Sequence, residues 1–442
     1  MNQNNLLRSG QVVRTISSSS ECVVEELLGS GGQGEVYRAR ARAGSQPVAL
    51  KWYFPHLATP EQRTALERLV KSGAPDKRFL WPEEIVTAEG VAGYGYLMPL
   101  RDARFKGIVD LMKRRVEPSF RALATAGLQL ADGYLRLHAR GLCYRDISFG
   151  NVFFDPDTGD VLICDNDNVG IDGETKGGIL GTPRFMAPEV VRGEALPTTQ
   201  TDLYSLAVLL FYMLMVHHPL EGAQEAGIRC LDLPAMTRLY GTSPRFVFDP
   251  ADASNRPVPG HHDNALAFWP IYPQFLRDLF TRAFTDGIAE PQHGRVRESE
   301  WRAALSRLRD SIVYCSGCGA ENFYDSEALR ATGSLPTCWS CRASIPLPPR
   351  IRLGRHVVML NHDSVLFPHH LDEQRLYDFS SPVAAVARHP AQPHVWGLRN
   401  LTPESWVARS TDSVRNVAPG QSVTLALGTR IQFGQAEGEV RV

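Results

Sequence analysis

The sequence has no long apolar run and no marked excess of charge. Its longest apolar stretch, residues 203–216, is shorter than the about 20 residues that a membrane-spanning helix needs, so a buried core helix is predicted there. Lysine and arginine number 47, and aspartate and glutamate number 48, which gives a net charge of −1. Because neither sign dominates, the composition gives no support to a nucleic-acid or membrane partner.

The first 21 residues also lack the apolar segment that a secretory signal peptide contains. They are rich in Asn, Gln and Ser, which predicts a flexible N-terminal segment over residues 1–21. Since neither a leader nor a membrane span is predicted, we expect a cytoplasmic protein.

Cysteine is scarce outside one short region. Four of the eight cysteines are scattered and the other four form two C-x-x-C pairs, which is not the pattern of a secreted disulfide scaffold. Two thiolate pairs at this spacing suit one tetrahedral Zn²⁺, so a small zinc ribbon is predicted over residues 313–342. Four cysteine ligands leave no open coordination position, so the zinc is expected to be structural. The predicted ligands are Cys315, Cys318, Cys338 and Cys341.

Two other interpretations of the cysteine pairs are weaker. A redox C-x-x-C would need a βαβ context, which the surrounding sequence does not predict. A nucleic-acid-binding ribbon would favour a cluster of Lys and Arg around the cysteines, and the sequence has none there. We therefore expect the ribbon to contact proteins or to act as a spacer.

Three regions of different pattern follow the N-terminal segment. Residues 22–310 mix strand-like and helical patterns, residues 313–342 hold the cysteine pairs, and residues 351–442 are short β-branched and aromatic runs between turns. The predicted fold class is multidomain: an α+β bilobal region, a zinc ribbon and an all-β sandwich tail. A small strand-rich lobe is expected before a larger helical lobe. The predicted strands are 23–28, 35–41 and 48–52, and the predicted helices include 60–72 and 119–140.

A glycine-rich segment lies between the first two predicted strands. Residues 29–36 read G-S-G-G-Q-G-E-V and match G-x-G-x-x-G-x-V. Because a strand follows, the context disfavours a dinucleotide-binding turn and favours a hairpin over ATP phosphates; an ordinary Gly-rich hairpin is the alternative. Glycines let the backbone approach an anion with no Cβ in the way. The candidate nucleotide-binding residues are Gly29, Ser30, Gly31, Gly32, Gln33, Gly34 and Val36.

A lysine lies on the third predicted strand, in the sequence V-A-L-K of residues 48–51. Lys51 is predicted to pair with the α- and β-phosphates. Such a lysine is held by a glutamate of the next helix; Glu67 is the predicted partner and Glu61 the alternative. For either glutamate, an exposed position without such a role is the competing interpretation.

Two further motifs contain carboxylate and amide side chains that are candidates for catalysis and Mg²⁺ binding. Residues 144–151, Y-R-D-I-S-F-G-N, align with H-R-D-L-x-x-x-N, so Asp146 is the candidate base and Asn151 a candidate Mg²⁺ ligand. Asp165 follows the strand-like V-L-I-C and is the second candidate Mg²⁺ ligand, because Mg²⁺ prefers carboxylate and amide oxygens. Phosphoryl transfer needs positioning and charge neutralisation, which these groups supply.

An A-P-E motif ends residues 181–189. Glu189 is predicted to form a buried ion pair with Arg295 or, alternatively, with Arg297. Asp202 lies at the start of the predicted core helix and is expected to anchor the backbone around Asp146.

In this order and spacing, the motifs of residues 22–310 resemble those of the eukaryotic-type Ser/Thr protein kinase family, which bacteria share. The resemblance implies ATP, Mg²⁺ and a protein substrate. It also implies that residues 95–101 lead into the hinge between the two lobes, with Met98 as gatekeeper. The backbone of Pro99 and Arg101 would then face adenine. Proline is tolerable there because the adenine contact at that position is made by the carbonyl oxygen, and proline lacks only the N–H. Ala49 and Phe153 would complete the adenine site.

The chain departs from the family pattern at four positions: Tyr144, Ser148, Asn166 and Asp167 stand where His, Lys, Phe and Gly are usual. Without the lysine, one cation near the γ-phosphate is lost, and an Asn is not expected to fill the apolar slot of the Phe. Asp167 is expected to face either the metal or solvent. Because the catalytic and metal positions are retained, we predict an active enzyme; an ATP-binding pseudokinase scaffold is the alternative.

Arg145 precedes the candidate base, and in the family such an arginine reads a phosphate on the activation loop, here residues 165–189. Thr175 is the predicted autophosphorylation site, and Thr182 lies in the segment expected to face substrate.

The C-terminal region carries a further resemblance. Residues 396–401, 417–420 and 427–434 resemble the later strands of a forkhead-associated β-sandwich, without the S-x-x-H pair that reads phosphothreonine. An unrelated β-sandwich for protein contact is the alternative. A kinase followed by a zinc ribbon and such a tail is similar to bacterial kinases of stress-related modules, which implies a von Willebrand A-type protein and a PP2C-type phosphatase as partners.

Overall fold

The computed structural model describes residues 5–42, 44, 46–174, 181–333, 336–410 and 413–441, and only the backbone of residues 393 and 394. Two compact units emerge from the contacts. The first comprises Met1–Pro118, Ala126–Leu266 and Leu279–Arg302, and the second comprises Ser119–Thr125, Ala267–Asp278 and Ala303–Val442. Both cysteine pairs and the C-terminal tail belong to the second unit.

Six antiparallel strands of the first unit form a closed barrel in the order β1-β2-β3-β4-β6-β5. The three predicted strands are present, each slightly longer than expected, and β3 pairs with β4 so that Val36 lies opposite Lys51. The barrel strands are β1 (Val12–Thr15), β2 (Glu21–Ser30), β3 (Gly34–Ala41), β4 (Pro47–Tyr53), β5 (Glu84–Ala88) and β6 (Gly95–Pro99).

The N-terminal segment is part of this barrel. Strand β1 pairs with β2 on one side and with β5 on the other, which closes the sheet. Leu7 and Val13 are fully buried in the barrel core. The prediction of a flexible segment over residues 1–21 is therefore wrong for residues 5–21, because their apolar side chains complete a core that local composition does not reveal.

Helix α1 (Pro60–Ser72) coincides with the predicted helix because its end signals are local. The Thr59 hydroxyl accepts a hydrogen bond from the backbone N–H of Gln62, and Pro60 occupies the first helical position. Gly73 ends the helix with a φ of 66°.

Helix α5 (Thr199–Met215) confirms the predicted core helix. Every residue from Thr201 to Met215 is buried, so its uniform apolar character reflects burial on all sides. Within the described part of the chain, no helix combines the length and apolar character that crossing a bilayer requires.

The remaining elements up to residue 310 include many short pieces. The helices are α2 (Ile108–Met112), α3 (Phe120–His138), α4 (Pro188–Val191), α6 (Ala223–Ala226), α7 (Leu233–Thr237), α8 (Asp263–Phe268), α9 (Gln274–Phe284), α10 (Asp286–Ala289) and α11 (Glu298–Asp310). The short strands are β7 (Lys106–Gly107), β8 (Leu142–Cys143), β9 (Val152–Phe154), β10 (Val161–Ile163) and β11 (Gly170–Ile171). Single turns of other helix types cover Asn166–Asn168, Arg238–Thr242 and Trp269–Ile271.

The second unit is rich in β-structure. A β12-β13 hairpin carries the first cysteine pair, and two further antiparallel sheets run β15-β14-β23-β22-β19-β20 and β16-β17-β18-β21. Side chains from both sheets, among them Ile351, Leu398 and Trp406, form one buried cluster. Its helices are α12 (Ser326–Thr332) and α13 (Pro368–Leu371), with a 3-10 turn at Glu373–Arg375. Its strands are β12 (Ile312–Tyr314), β13 (Glu321–Phe323), β14 (Arg350–Leu353), β15 (His356–Met359), β16 (Val365–Leu366), β17 (Ala384–His389), β18 (Gln392–Asn400), β19 (Trp406–Arg409), β20 (Val414–Val417), β21 (Ser422–Thr424), β22 (Arg430–Phe433) and β23 (Ala436–Arg441).

Candidate active site

The glycine-rich segment forms the turn between β2 and β3. Gly34 is required there by packing, because a Cβ at this position would lie 2.1 Å from the carbonyl oxygen of Trp52 on β4. Gln33 extends from the turn toward Lys51 and accepts a hydrogen bond of 2.8 Å from its Nζ. The amide of Gln33 also donates to Asn168 Oδ1 at 2.8 Å. The turn is thus joined by side chains to the two segments that carry the other candidate residues.

Lys51 lies on β4 with its side chain almost fully buried. Its Nζ is 2.9 Å from Asp167 Oδ2 and 3.2 Å from Asp165 Oδ1. Burial alone would lower the pKa of Lys51, but the charges and hydrogen bonds of Asp167 and Asp165 outweigh it and raise that pKa. Lys51 is therefore a fixed cation at neutral pH.

The structure corrects the predicted partner of this lysine. Glu67 is exposed on α1 and pairs with Arg63 at 3.1 Å, one helical turn away. Glu61 is exposed as well. The face of α1 that points to Lys51 carries Gln62, whose amide donates to Tyr53 Oη at 3.3 Å. Glu67 lies on another face of the helix, so the predicted Lys51–Glu67 ion pair is wrong.

Asp167 takes the place that was predicted for the glutamate. Its side chain is fully buried, and Tyr53 donates a hydrogen bond of 2.5 Å to its Oδ2. Of the two alternatives left open for Asp167, a side chain facing the metal or one facing solvent, this burial excludes the solvent-facing one. Sequence reasoning missed Tyr53, although a signal exists: it lies two residues after Lys51, and alternate residues of a strand share one face.

Asn166 is fully buried, although no apolar side chain stands at this position. Its amide nitrogen donates to the carbonyl oxygens of Leu80 and Ile163, each at 2.9 Å. Asn166 is therefore held by hydrogen bonds of its amide nitrogen to two backbone carbonyls, where the family has an apolar side chain.

Asp165 begins this segment in the left-handed conformation, with φ 51° and ψ 44°. Burial raises the pKa of Asp165, Lys51 opposes that effect, and Asp167 adds to it. A non-glycine residue held at positive φ is uncommon and points to a functional constraint. The side chains of the two residues that follow, Asn166 and Asp167, are both held by hydrogen bonds.

The segment between β8 and β9 brings the candidate base and metal ligand together. The amide nitrogen of Asn151 donates to Asp146, to its backbone oxygen at 2.9 Å and to its Oδ2 at 3.1 Å. The carbonyl oxygen of the Asn151 side chain is thus the atom that can bind a metal. Thr182 donates to Asp146 Oδ1 at 2.8 Å, so both carboxylate oxygens of Asp146 are oriented by neighbours.

Asp202 anchors this segment, as predicted. Its carboxylate accepts the backbone N–H groups of Tyr144 at 2.5 Å and Arg145 at 3.0 Å. His138 lies between Asp202, 3.1 Å from its Nε2, and Glu298. Burial would lower the pKa of His138, but hydrogen bonds and charges of the two carboxylates raise it to about 9.

Glu189 forms a buried ion pair with Arg295 at 2.6 Å. Arg297, the alternative partner, instead uses its backbone N–H to bind Glu300. The choice of Arg295 is confirmed. The pair links α4 to the segment that precedes α11.

Three of the residues predicted to surround adenine lie close together: Val36, Ala49 and Met98. Ala49 and Met98 are buried in one cluster against which Val36 packs, and they pair directly across β4 and β6. The guanidinium of Arg101 lies 4.2 Å from the ring centre of Phe153. Pro99 ends β6, and the backbone that follows carries Arg101.

Arg145 has a φ of 74°, and its guanidinium lies directly over Gly170, where a Cβ would be 2.1 Å from the nearest nitrogen. Arg145, which is predicted to bind a phosphate of the activation loop, thus lies against Gly170 of that loop. The predicted phosphate acceptor, Thr175, lies outside the described residues.

The four clustered cysteines of the second unit form a candidate metal centre. Their Sγ atoms all lie within 4.8 Å of one another, with Cys315–Cys341 at 3.5 Å and Cys318–Cys338 at 3.7 Å. Zn–S bonds of about 2.3 Å in a tetrahedron give S–S edges of about 3.8 Å, so the donor set fits one Zn²⁺. Burial would raise the pKa of Cys338, but hydrogen bonds from the Cys341 backbone and the Asn322 amide outweigh it and lower the pKa to about 6.

Comparison with known proteins places this geometry in a family. The protein kinase domain family matches residues 22–257. CBL-interacting protein kinase 4 of rice (Oryza sativa subsp. japonica) is 28% identical over 283 residues, which cover 60% of each chain. Serine/threonine-protein kinase PknK of Mycobacterium tuberculosis is 33% identical over 202 residues, 44% of this chain and 18% of the relative. Serine/threonine-protein kinase pkn2 of Myxococcus xanthus is 27% identical over 290 residues, 60% of this chain and 33% of the relative.

This chain thus spans between 18% and 60% of the length of these relatives. The family match itself covers more than half of the 442 residues and includes the glycine-rich turn, Lys51, Asp146, Asn151 and Asp165. The chain belongs to the protein kinase family.

Proposed function

We propose that the chain is a Ser/Thr protein kinase that transfers the γ-phosphoryl group of ATP to hydroxyl groups of proteins. One observation carries this proposal: Lys51, Asp146, Asn151 and Asp165 belong to a single hydrogen-bonded arrangement. Lys51 contacts Asp165 at 3.2 Å, Asn151 contacts Asp146 at 3.1 Å, and the backbone N–H of Cys164 joins the two pairs by donating to the Asn151 backbone oxygen at 2.8 Å.

The residues present suit the two ligands that the family uses. The backbone of the glycine-rich turn and the Lys51 ammonium would hold the phosphates, and the oxygens of Asn151 and Asp165 would hold Mg²⁺. Val36, Ala49, Met98 and Phe153 offer apolar surface for adenine. When bound, ATP and Mg²⁺ supply the phosphoryl group and neutralise the charge on its oxygens.

Asp146 receives the proton that the substrate hydroxyl loses. Its Oδ1 and Oδ2 are held by Thr182 and Asn151 respectively, so the carboxylate is oriented before substrate arrives. Ser148, which replaces the usual lysine, is buried and brings no charge. Lys51 is therefore the main side-chain cation of the site, and Asp167 positions it.

The test is phosphoryl transfer from γ-labelled ATP with Mg²⁺ to the chain itself and to a generic protein substrate. Asp146→Asn removes the base while it keeps the shape, and its rate should fall by at least about 100-fold. Asp157→Asn, an exposed change in the same region, is the matched control and should retain full activity. Equal rates for the Asp146→Asn variant and the unchanged chain would refute the kinase proposal and favour an ATP-binding scaffold.

Autophosphorylation at Thr175 is part of the proposal. The guanidinium of Arg145 lies over Gly170, within residues 165–189, where it can bind a phosphate carried by that loop. Mass spectrometry of the active chain should find phosphate on residues 165–189, and Thr175→Ala should remove it. An unmodified loop in active protein would refute this site.

The second unit, which we call the C-terminal unit, is proposed to hold one structural Zn²⁺ on its four clustered cysteines. It is also proposed to contact partner proteins through a forkhead-associated-like β-sandwich. By similarity of architecture, the proposed partners are a von Willebrand A-type protein and a PP2C-type phosphatase. Co-purification of the full chain with each of these proteins tests the assignment. Failure of both to bind at micromolar concentration would refute it without affecting the kinase proposal.

A further inference from the structure

A cavity of about 570 Å³ lies within the C-terminal unit, and none of its residues belongs to the candidate active site. Its walls come from helices α11 and α12, the β14-β15 hairpin and Tyr377. The volume lies in the range of about 300–1,000 Å³ that is usual for small-molecule sites.

The cavity is strongly basic. Six arginines line it, against a single carboxylate, Asp310, which is paired with His370 at 3.2 Å. Two further carboxylates lie beside the arginines: Glu327 is 3.7 Å from Arg307, and Glu439 is 2.9 Å from Arg441. Counted over these described residues, six cations against three carboxylates leave an excess of three positive charges. The six arginines are Arg307, Arg330, Arg350, Arg352, Arg355 and Arg441.

Arg350 has no acidic partner within the part of the chain that the structure describes. Its guanidinium carbon lies 5.5 Å from the ring centre of Tyr324, and its Nη1 is buried without a hydrogen-bond acceptor among the described residues. A buried guanidinium nitrogen without an acceptor loses the hydration it would have in water. An anionic ligand in the cavity would satisfy it.

A metal ion does not fit His369, which lines this cavity, or the neighbouring His370. His369 Nδ1 accepts the backbone N–H of Tyr377 at 2.9 Å, and His370 Nδ1 accepts the backbone N–H of Phe367 at 2.9 Å. In a neutral imidazole the other nitrogen then carries the proton and has no lone pair for a metal. Accordingly, His369 Nε2 faces the Ser306 hydroxyl at 2.8 Å.

We propose that this cavity binds a small molecule that carries a diphosphate or longer phosphate chain, such as a nucleoside diphosphate. A phosphorylated side chain brings about −1.5 to −2 charges, which is less than the excess of three, whereas a diphosphate ester brings more. Arginine forks bind phosphate oxygens in pairs, and several of them around one cavity suit adjacent phosphoryl groups. The rings of Tyr324 and Tyr377 line the same cavity and provide contact surface for the organic part.

The test uses inorganic pyrophosphate as the probe, titrated into the full chain by calorimetry in buffer free of divalent metal. Arg352→Gln together with Arg355→Gln removes two charges from exposed positions of the β14-β15 hairpin, so the core is left intact. Arg399→Gln, an exposed arginine of the same unit outside the cavity, is the matched control. Unfolding curves of all variants establish that they are folded.

The unchanged chain and the Arg399→Gln variant should bind pyrophosphate alike, and the double variant should bind at least tenfold more weakly. Lys51→Met should leave this binding unchanged, which separates the cavity from the active site. With Lys51→Met as background, the nucleoside diphosphate ADP should bind more tightly than a phosphothreonine peptide. Equal affinity in the double variant, or tighter binding of the peptide, would overturn the proposal.

Discussion

The ammonium nitrogen of Lys51 lies 2.9 Å from Asp167 Oδ2, and both side chains are almost completely buried. Asp167 stands two residues after Asp165, the candidate metal ligand, and not on helix α1. The group that orients the lysine and the group proposed to bind Mg²⁺ therefore belong to one short segment. Because α1 contributes only Gln62 to this arrangement, the orientation of Lys51 does not depend on an ion pair with the helix.

The ion pair between Glu189 and Arg295 is expected to contribute strongly to stability. Arg295→Gln leaves a buried carboxylate without its partner, which costs about 3–5 kcal/mol. The free energy of unfolding in urea measures this loss. Arg297→Gln, two residues away, should change it by less than about 0.5 kcal/mol, as expected for a surface substitution; similar losses for both would contradict the assignment.

His138 should make stability depend on alkaline pH. Its pKa is raised from 6.5 to about 9, so the folded state binds the proton more tightly than the unfolded state. The resulting stabilisation is complete below pH 6.5 and is lost as the pH rises through 9; between pH 7 and 10 about 2–3 kcal/mol should disappear. Urea unfolding at both pH values measures it.

The His138→Gln variant provides the comparison for that experiment. It cannot gain or lose the proton, so its stability should change less between pH 7 and 10 than that of the unchanged chain. A pH dependence of equal size in both proteins would show that another group is responsible.

Zinc should be bound in a ratio of one ion per chain. Elemental analysis of the purified chain should find it, and Cys338→Ser should remove it, because three thiolates and a hydroxyl bind Zn²⁺ much more weakly. Cys230→Ser, at an exposed cysteine outside the cluster, should keep the full zinc content. A zinc content unaffected by Cys338→Ser would contradict the proposed centre.

Local signals account for what the sequence predicts well. The bounds of α1 follow from Thr59, Pro60 and Gly73, and the buried helix α5 follows from its apolar run. Asp146 and Asn151 are close in sequence, so their contact in one loop could be expected from the motif alone.

Tertiary contacts account for what the sequence leaves open. Strand β1 forms because it pairs with β5, which lies about 70 residues further along the chain. The direction of Asp167 is set by Lys51 and Tyr53, and the rotation of α1 decides that Glu67 faces solvent. The basic cavity of the C-terminal unit is assembled from arginines between residues 307 and 441, so no local pattern reveals it.

The most direct test of the account compares Asp167→Asn with Glu67→Gln in steady-state phosphorylation of a generic protein substrate. Asp167→Asn removes the charge that holds Lys51, so kcat/KM for ATP should fall by about 100-fold, with a fall in kcat as well as a rise in KM. Glu67→Gln should stay within about twofold of the unchanged chain, since exposed charges contribute little. A large loss in Glu67→Gln, with Asp167→Asn near full activity, would contradict the account.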